Sequence, residues 1–174
     1  MSTPIFGITG WKNSGKTTLL TELVSEFTDR GLRVSTIKHA HHAFDIDHKG
    51  TDSYRHREAG ATEVVLISGR RWALMHELRD EREPSLQEII PQLAPCDLIL
   101  IEGYKREAHP KIEARRTQSK DRAPLTEQDP HIVGVAADHP VEEGTTPVFA
   151  LDDITGMADF IAEYLQLESR NALA

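Results

Sequence analysis

The sequence predicts an α/β fold in which a mainly parallel β-sheet is flanked by helices. Short apolar runs, which suit strands buried in a parallel sheet, alternate along the chain with apolar residues at helical spacing. The first run is Ile5–Thr9, and a loop with two glycines separates it from a helix that ends at Gly31. A second run at residues 32–37 then closes a right-handed βαβ unit. The core face of the first helix carries Leu19, Leu20, Leu23, Val24 and Phe27.

The loop of this unit, residues 10–17, matches the phosphate-binding P-loop pattern G-x-x-x-x-G-K-[ST]. Its glycines let the backbone curl so that successive N–H groups point at anionic oxygens. Lys16 adds a charge for the β- and γ-phosphates, and the Thr17 hydroxyl can ligate Mg²⁺. A loop that only turns the chain is the alternative, but the strand and helix around it favour a P-loop NTPase-like domain. The residues predicted to hold the nucleotide are Gly10, Lys12, Asn13, Ser14, Gly15, Lys16, Thr17 and Thr18.

The middle of the chain continues the pattern of short elements. We predict a helix over residues 53–59, which Gly60 ends, and a β-hairpin whose strands Glu63–Ile67 and 72–75 flank a turn. A brief helical stripe of apolar residues follows Ser85. The next buried strand, residues 97–103, contains Glu102 near its end.

Residues 104–130 are polar and contain three prolines, so we predict a mobile loop insertion with a short edge strand at residues 111–115. Buried strands at 131–137 and 148–151 and a final helix complete the domain. No repeat or linker divides the chain. The sequence therefore predicts a single nucleotide-binding domain over residues 1–168 and a frayed C-terminal tail at 169–174.

Composition narrows the class of protein. The chain has 174 residues and a formal net charge of −8, which argues against a nucleic-acid partner held by long-range electrostatics. Its single cysteine, Cys96, excludes an internal disulfide and suits a reducing compartment. No apolar run is long enough to span a membrane, and no signal peptide precedes the first strand. We therefore expect a cytoplasmic protein with no membrane partner.

Polar residues follow several of the predicted strands at their carboxyl ends, which share one edge of a parallel sheet. The P-loop, a histidine-rich segment, Glu102 and Asp138 would therefore converge on one crevice. Glu102 occupies the position of a Walker B carboxylate, which holds Mg²⁺ or polarises the attacking water, so we predict both a metal-binding and a catalytic role. The alternative is a solvated carboxylate at a strand end.

Asp138 follows the apolar strand 131–137. A carboxylate at such a strand end can accept from both N1–H and N2–H₂ of guanine, which predicts a base-reading role. The alternative is a turn aspartate before His139 and Pro140.

The segment after the second strand combines imidazoles with carboxylates. Such side chains suit Zn²⁺, Ni²⁺ or Fe²⁺, although the segment lacks the cysteines and fixed ligand pairs of a structural zinc site. A switch-like loop explains it as well, with Asp45 or Asp47 sensing the γ-phosphate in a catalytic role, and an inert polar loop is the third possibility. The residues concerned are His39, His41, His42, Asp45, Asp47 and His48.

Several motifs together resemble the MobB family. They are the P-loop with its Lys12-Asn13-Ser14, the segment Ile37-Lys38-His39-x-His41-His42-x-Phe44-Asp45-x-Asp47, Gly50-x-Asp52-Ser53-Tyr54, Ala59-Gly60-Ala61, and residues 71–75 and 97–105. The resemblance extends to about Phe160 and is weakest over residues 108–130.

The resemblance implies a GTP-binding accessory protein of molybdenum-cofactor biosynthesis that acts at the molybdopterin-guanine dinucleotide step. It implies GTP with Mg²⁺ as ligand, weak GTPase activity, a homodimer, and a partnership with MobA, the transferase that joins GMP to molybdopterin. Two rival functions remain. One is a small-molecule kinase whose lid includes Arg115 and Arg116; the other is a metal-delivery protein that uses His39, His41 and His42.

Overall fold

The structure, a computed structural model, describes residues 3–40, 44–105 and 107–167. Its elements in chain order are β1 (Ile5–Thr9), α1 (Lys16–Asp29), β2 (Val34–Lys38), α2 (Asp52–Glu58), β3 (Glu63–Ile67), β4 (Trp72–His76), α3 (Leu86–Ile89), a 3₁₀ turn (Ile90–Gln92), β5 (Leu98–Glu102), β6 (Lys111–Arg115), β7 (Ile132–Ala137), β8 (Val148–Ala150) and α4 (Ile154–Leu165). They form two compact units. The sheet unit comprises Met1–His39 and Leu93–Ala174, and the hairpin unit comprises Ala40–Gln92.

The sheet unit contains six strands in the order β2-β5-β1-β6-β7-β8, and every pairing between neighbours is parallel. Helices α1 and α4 contact each other and pack into one core with β1, β5 and β7. In α1 the buried side chains recur at helical spacing, as the apolar pattern predicted. The predicted fold class, an α/β fold with a mainly parallel sheet, a β-hairpin and a polar loop insertion, is confirmed. The buried residues of the two helices are Leu19, Leu20, Leu23, Phe27, Met157, Ala158 and Ile161.

Strand β6 corrects one expectation, because residues 111–115 were predicted to form an edge strand. The strand instead lies between β1 and β7, and all five of its residues are buried. Its charged side chains alternate with apolar ones, and each of them is paired inside the protein. Lys111 Nζ lies 2.7 Å from Asp129 Oδ2, and Arg115 Nη2 lies 2.7 Å from Glu113 Oε2. Arg115 also pairs with Glu143. Buried charges are tolerated where partners neutralise them, so a central strand can carry them.

The partners of these charges come mostly from the polar segment that follows β6. The backbone N–H of Leu125 donates to both carboxylate oxygens of Glu113, at 3.2 and 3.1 Å. Thr126 Oγ1 donates to Glu143 Oε2 at 2.7 Å. We predicted this stretch as a mobile loop. In the structure it has a further role, because its residues cover the charged face of β6.

The hairpin unit is built around the antiparallel pair of β3 and β4. Val64 pairs with Met75, and both side chains are buried. Val65 and Ile67, which point to the other face, pair with Leu74 and Trp72 respectively. That second face is apolar and exposed, which an antiparallel sheet with one solvated face does not normally show.

Among the described residues, no helix combines the length and apolar character that a bilayer-spanning segment needs.

Candidate nucleotide-binding site

The site is assembled at the carboxyl edge of the parallel sheet, where ligands of open α/β sheets bind. Strand β1 leads into the P-loop and its neighbour β5 ends at Glu102. On the other side of β1, β6 ends at Arg115, and β7 beyond it leads into Asp138. The predicted convergence of the P-loop, Glu102 and Asp138 at one edge is therefore what the topology produces.

The P-loop has the backbone conformation of an anion nest. Gly10, Asn13 and Gly15 have φ angles of 143°, 66° and 88°, which bend the chain back on itself. A Cβ at Gly10 would lie 2.5 Å from the carbonyl oxygen of Ala114 and from Ser14 Oγ, so the close approach to β6 requires glycine. Helix α1 starts at Lys16 with no side-chain cap on its first N–H groups. These N–H groups and the positive end of the helix dipole favour a phosphate.

Lys16 spans this loop. Its ammonium donates a hydrogen bond to the carbonyl oxygen of Trp11 at 2.6 Å. Burial lowers the pKa of Lys16, and the nearby charge of Lys105 lowers it further, whereas Glu102 opposes the shift and Lys38 adds to it. Three lysines are thus close enough to influence one another around the phosphate-binding loop. Such a cluster of cations matches a ligand with several negative charges.

Thr17 and Glu102, the two residues predicted to hold Mg²⁺, are in direct contact. Thr17 Oγ1 donates to Glu102 Oε1 at 2.9 Å, and Lys38 Nζ lies 3.4 Å from the same oxygen. The Glu102 residue is only 9% exposed. A hydroxyl and a carboxylate are hard oxygen donors of the kind that Mg²⁺ takes from proteins while it keeps several waters. The donor set fits the metal, and the metal-binding and catalytic roles of these residues stay predictions.

A cleft of about 840 Å³ extends from the P-loop to the end of β7. Its walls include Gly15 and Thr18 beside the P-loop, Asp138 after β7, and Arg116 after β6. Leu151 and Asp152, which follow β8, also contribute. The volume is within the range of small-molecule sites, and the P-loop and the end of β7 line the same cavity. A nucleotide can therefore place its phosphates on the P-loop and its base near Asp138.

Asp138 is held in a fixed orientation in the wall of this cleft, directly after β7. Its Oδ1 accepts hydrogen bonds of 2.8 Å from the backbone N–H of Thr117, from Thr117 Oγ1 and from His139 Nδ1. The hydrogen bond with His139 and those from Thr117 lower the pKa of Asp138 to about 2. The side chain is 35% exposed and ionised at neutral pH. Asp138 therefore anchors the adjacent loop and, at the same time, presents a carboxylate to the cleft.

Asp45 and Asp47 lie in the hairpin unit, where both carboxylates contact Arg57. Arg57 Nη2 lies 2.7 Å from Asp45 Oδ1 and forms a second ion pair with Asp47. Glu77 Oε1 lies 2.8 Å from Arg57 Nη1. One guanidinium thus pairs with three carboxylates within this unit. The role of Asp45 and Asp47 toward a γ-phosphate stays a prediction.

The histidines of the same segment are spread over different surroundings. The ring of His39, in the sheet unit, lies 4.6 Å from that of Tyr104, and His48, in the hairpin unit, is exposed. His41 and His42 lie outside the described residues. Within residues 3–40, 44–105 and 107–167, no group of three or more His, Cys, Asp or Glu side chains is arranged to hold a metal ion.

Two residues at the P-loop, Trp11 and Lys105, were not assigned a contact role from the sequence. Lys105 Nζ lies 4.4 Å from the centre of the Trp11 ring, and the indole N–H of Trp11 donates to the carbonyl oxygen of Ala123 at 2.8 Å. Arg116, which the sequence placed only in the lid of a possible small-molecule kinase, has its guanidinium against Gly15. Arg116 directly follows β6, so recognising β6 as a central strand would have placed it at the same edge as the P-loop. No sequence signal pairs Trp11 with Ala123.

Comparison with known proteins gives consistent matches. The sequence profile of the family described as "Molybdopterin guanine dinucleotide synthesis protein B" (MobB) matches residues 5–138. The chain is 38% identical over 168 residues to the molybdopterin-guanine dinucleotide biosynthesis adapter protein of Escherichia coli, covering 95% of each chain. It is 41% identical over 164 residues to the adapter protein of Haemophilus influenzae, covering 93% of this chain and 89% of that one.

Solved structures show the same relationship. A crystal structure of molybdopterin-guanine biosynthesis protein B superposes with a TM-score of 0.73 at 27% identity, covering 92% of this chain and 99% of that chain. The structure of a MobB homologue from Bacillus stearothermophilus gives a TM-score of 0.68 at 28% identity, covering 94% of this chain and 99% of that chain.

Proposed function

This chain belongs to the MobB family, and we propose that it is a GTP-binding adapter in the biosynthesis of molybdopterin-guanine dinucleotide. In this proposal it binds GTP with Mg²⁺, hydrolyses it slowly, and assists MobA in attaching GMP to molybdopterin. The proposal that the chain binds a nucleotide rests on the continuous cleft that Gly15, Thr18 and Asp138 line. The proposed pathway, molybdopterin-guanine dinucleotide biosynthesis, is inferred from membership of the family.

The phosphate end of the proposed site uses backbone N–H groups and Lys16. The N–H groups of the nest and of the first turn of α1 receive the phosphate oxygens, and the ammonium of Lys16 exchanges the Trp11 carbonyl for a phosphate. Thr17 and Glu102 hold Mg²⁺, which neutralises part of the triphosphate charge. Lys38 Nζ, 3.4 Å from Glu102 Oε1, adds a further positive charge at this end of the site.

Guanine is the proposed base because Asp138 supplies a fixed, ionised carboxylate in the wall of the cleft. Guanine offers two adjacent donors on its Watson–Crick edge, whereas adenine offers an acceptor beside a donor. The Asp138 carboxylate therefore attracts guanine and faces an adenine lone pair unfavourably. Sites that depend on such a polar match reject the mismatched analogue strongly.

Slow hydrolysis follows from the groups around the phosphate end. No arginine finger or catalytic glutamine stands at a fixed offset from the P-loop in the sequence, and such groups commonly accelerate hydrolysis by about 10³–10⁵. Arg115, one candidate for a kinase-like lid, is 9% exposed and is engaged by Glu113 and Glu143. It is therefore not available to a transferred phosphate.

The hairpin unit supports the proposed homodimer. One face of the β3–β4 pair exposes Val65, Ile67, Trp72 and Leu74 by 55%, 80%, 67% and 46%. In the register of this hairpin Val65 is opposite Leu74 and Ile67 is opposite Trp72, so the four side chains form one continuous apolar face. We propose that a second copy of this chain covers it, because exposed apolar patches of this kind mark interaction surfaces.

A binding and turnover experiment tests the proposal. Calorimetric titration of the full-length protein with GTP and with ATP, each with Mg²⁺, is expected to give much tighter binding of GTP. Purified protein alone is expected to hydrolyse GTP at well below about 1 s⁻¹, a low rate among enzymes. Equal binding of the two nucleotides would contradict the guanine assignment. Many turnovers per second without a partner would contradict the adapter role.

A further inference from the structure

We propose that Arg116 is a phosphate-binding residue of the cleft and that it contacts the phosphate nearest the ribose. This inference rests on the proposed nucleotide-binding function and assigns a residue outside the P-loop motif to the ligand. Arg116 directly follows β6, which lies between β1 and β7, so its backbone lies between the P-loop and Asp138, and its side chain lines the cleft. A nucleotide that extends from the P-loop to Asp138 has its first phosphate between them.

The guanidinium is seated directly on the P-loop. A Cβ built at Gly15 would lie 2.7 Å from Arg116 Nε, 2.9 Å from Cζ and 3.2 Å from Nη2. Only a residue without a side chain leaves room for this contact, and the φ angle of 88° at Gly15 also favours glycine. Gly15 thus has Lys16 next to it in the chain and the Arg116 guanidinium against its Cα atom. Lys16 and Arg116 both carry a positive charge.

The position of Arg116 is determined by its neighbours on both sides. Arg115 is buried and paired with Glu113 at 2.7 Å, which fixes the end of β6. Thr117 donates its backbone N–H to Asp138 at 2.8 Å, which fixes the next residue on the adjacent strand end. Because both neighbours are anchored, the Arg116 side chain starts from a rigid backbone. Such preorganisation is what a ligand-contacting side chain requires.

The chemistry of Arg116 differs from that of the arginine beside it. Arg115 has its charge neutralised inside the protein, whereas Arg116 forms no side-chain hydrogen bond or ion pair with any described residue. A guanidinium is a planar fork that pairs with two phosphate oxygens at once. In a protein of net charge −8, an unpaired guanidinium in the wall of a cleft next to a phosphate-binding loop is suited to an anionic ligand.

The test compares Arg116→Ala and Arg116→Lys with the parent by calorimetric titration of GTP, GDP and ATP, each with Mg²⁺. The control is Arg33→Ala, because Arg33 precedes β2 at the amino edge of the sheet and makes an exposed ion pair with Asp97. Arg116→Ala is expected to weaken the binding of GTP, GDP and ATP by the same factor, about tenfold or more, because all three nucleotides have the first phosphate. Arg116→Lys is expected to recover part of the loss, and Arg33→Ala to bind as the parent does.

The outcomes separate this inference from the proposed function. If the parent binds GTP and Arg116→Ala binds it equally well, the role of Arg116 is refuted and the proposed function stands. If the parent binds none of the three nucleotides, both fail. A loss confined to GTP would refute the placement at the first phosphate. A lower melting temperature of both Arg116 variants without nucleotide, relative to Arg33→Ala, would overturn the binding role in favour of a structural one.

Discussion

Thr17 Oγ1 donates a 2.9 Å hydrogen bond to Glu102 Oε1, although 85 positions of the chain separate the two residues. The parallel pairing of β1 with β5 explains the contact, because Ile8 lies opposite Glu102 in that register. The end of β5 is thereby placed beside the first turn of α1. The oxygen pair that we propose for Mg²⁺ is therefore a consequence of strand order.

Replacing Lys16 by alanine is expected to remove most of the affinity for GTP while leaving the fold intact. Lys16 carries the full charge over the nest, and losing one charge-assisted contact costs on the order of 1.5–3 kcal/mol, more than tenfold in affinity. Calorimetric titration with GTP and Mg²⁺ measures the loss. Lys49→Ala, an exposed lysine of the hairpin unit, is the control. Unchanged GTP binding by Lys16→Ala would contradict the proposed phosphate site.

Glu102→Gln is expected to weaken the binding of GTP in the presence of Mg²⁺ far more than in EDTA. Glutamine keeps an oxygen that can accept from Thr17 but loses the charge that attracts the cation, which we expect to lower the affinity by about tenfold with Mg²⁺. Titrations with and without the metal give the two values. The control is Glu127→Gln, which makes the same change at an exposed position. An equal loss with and without Mg²⁺ would show that Glu102 has no part in metal binding.

Asp138→Asn is expected to reduce the preference for GTP over ATP by tenfold or more, with a smaller effect on the affinity common to both. Asparagine still accepts from Thr117 but presents an amide donor where guanine requires an acceptor. Because its hydrogen bonds lower the pKa of Asp138 to about 2, the carboxylate stays ionised and the parent's preference is expected to be constant from about pH 5 to 8. Competition titrations measure the ratio. An unchanged ratio in the variant would show that Asp138 only anchors the loop.

Ile67→Asp is expected to convert a dimer of this chain into monomers. Ile67 is 80% exposed on the apolar face of the hairpin, and burying such a side chain stabilises by about 1.5–3 kcal/mol in each copy. Loss of two such contributions weakens a symmetric dimer by about a hundredfold or more. Light scattering during gel filtration measures the mass. Ile67→Val keeps the face apolar and is expected to stay dimeric; equal masses for parent and Ile67→Asp would place the interface elsewhere.

His109 is expected to make the protein less stable in mild acid. The side chain lies against Gly7, only 2% of the residue is exposed, and neither ring nitrogen has a hydrogen-bond partner among the described residues. Burial, with a smaller effect of Lys111, lowers the pKa of His109 from 6.5 to about 4. Between these values the unfolded chain binds more protons than the folded one. The contribution of His109 is therefore complete above about pH 6.5 and is lost as the pH falls toward 4.

Denaturant unfolding from pH 7 to 4 measures this loss, which is on the order of 2–3 kcal/mol for the parent. His109→Gln removes the titrating group and is expected to flatten the dependence of the unfolding free energy on pH. His131→Gln changes an exposed histidine and is expected to keep the slope of the parent. Identical slopes for all three proteins would mean that His109 does not determine the acid sensitivity.

Local patterns were enough to predict most of the elements. The P-loop, the strands on either side of α1 and the hairpin all follow from short-range rules of spacing, glycine placement and apolar runs. Strand β6 was predicted as a strand, but its central position did not follow from local patterns, because Lys111, Glu113 and Arg115 are residue types that are rarely buried. Their partners Asp129 and Glu143 are distant in sequence, and no local pattern indicates which carboxylates will neutralise them.

The α/β class, the phosphate-binding loop and the resemblance to MobB could be read from the sequence, because each depends on residues close together in the chain or on a recognisable order of motifs. The contact of Arg116 with Gly15 and the hydrogen bond from Thr117 to Asp138 became visible only in the folded protein. Both contacts arise because β6 is inserted between β1 and β7. Strand order is a long-range property that depends on which residues pair with buried charges and on how the helices cover the sheet. The spacing of residues within one segment carries no information about it.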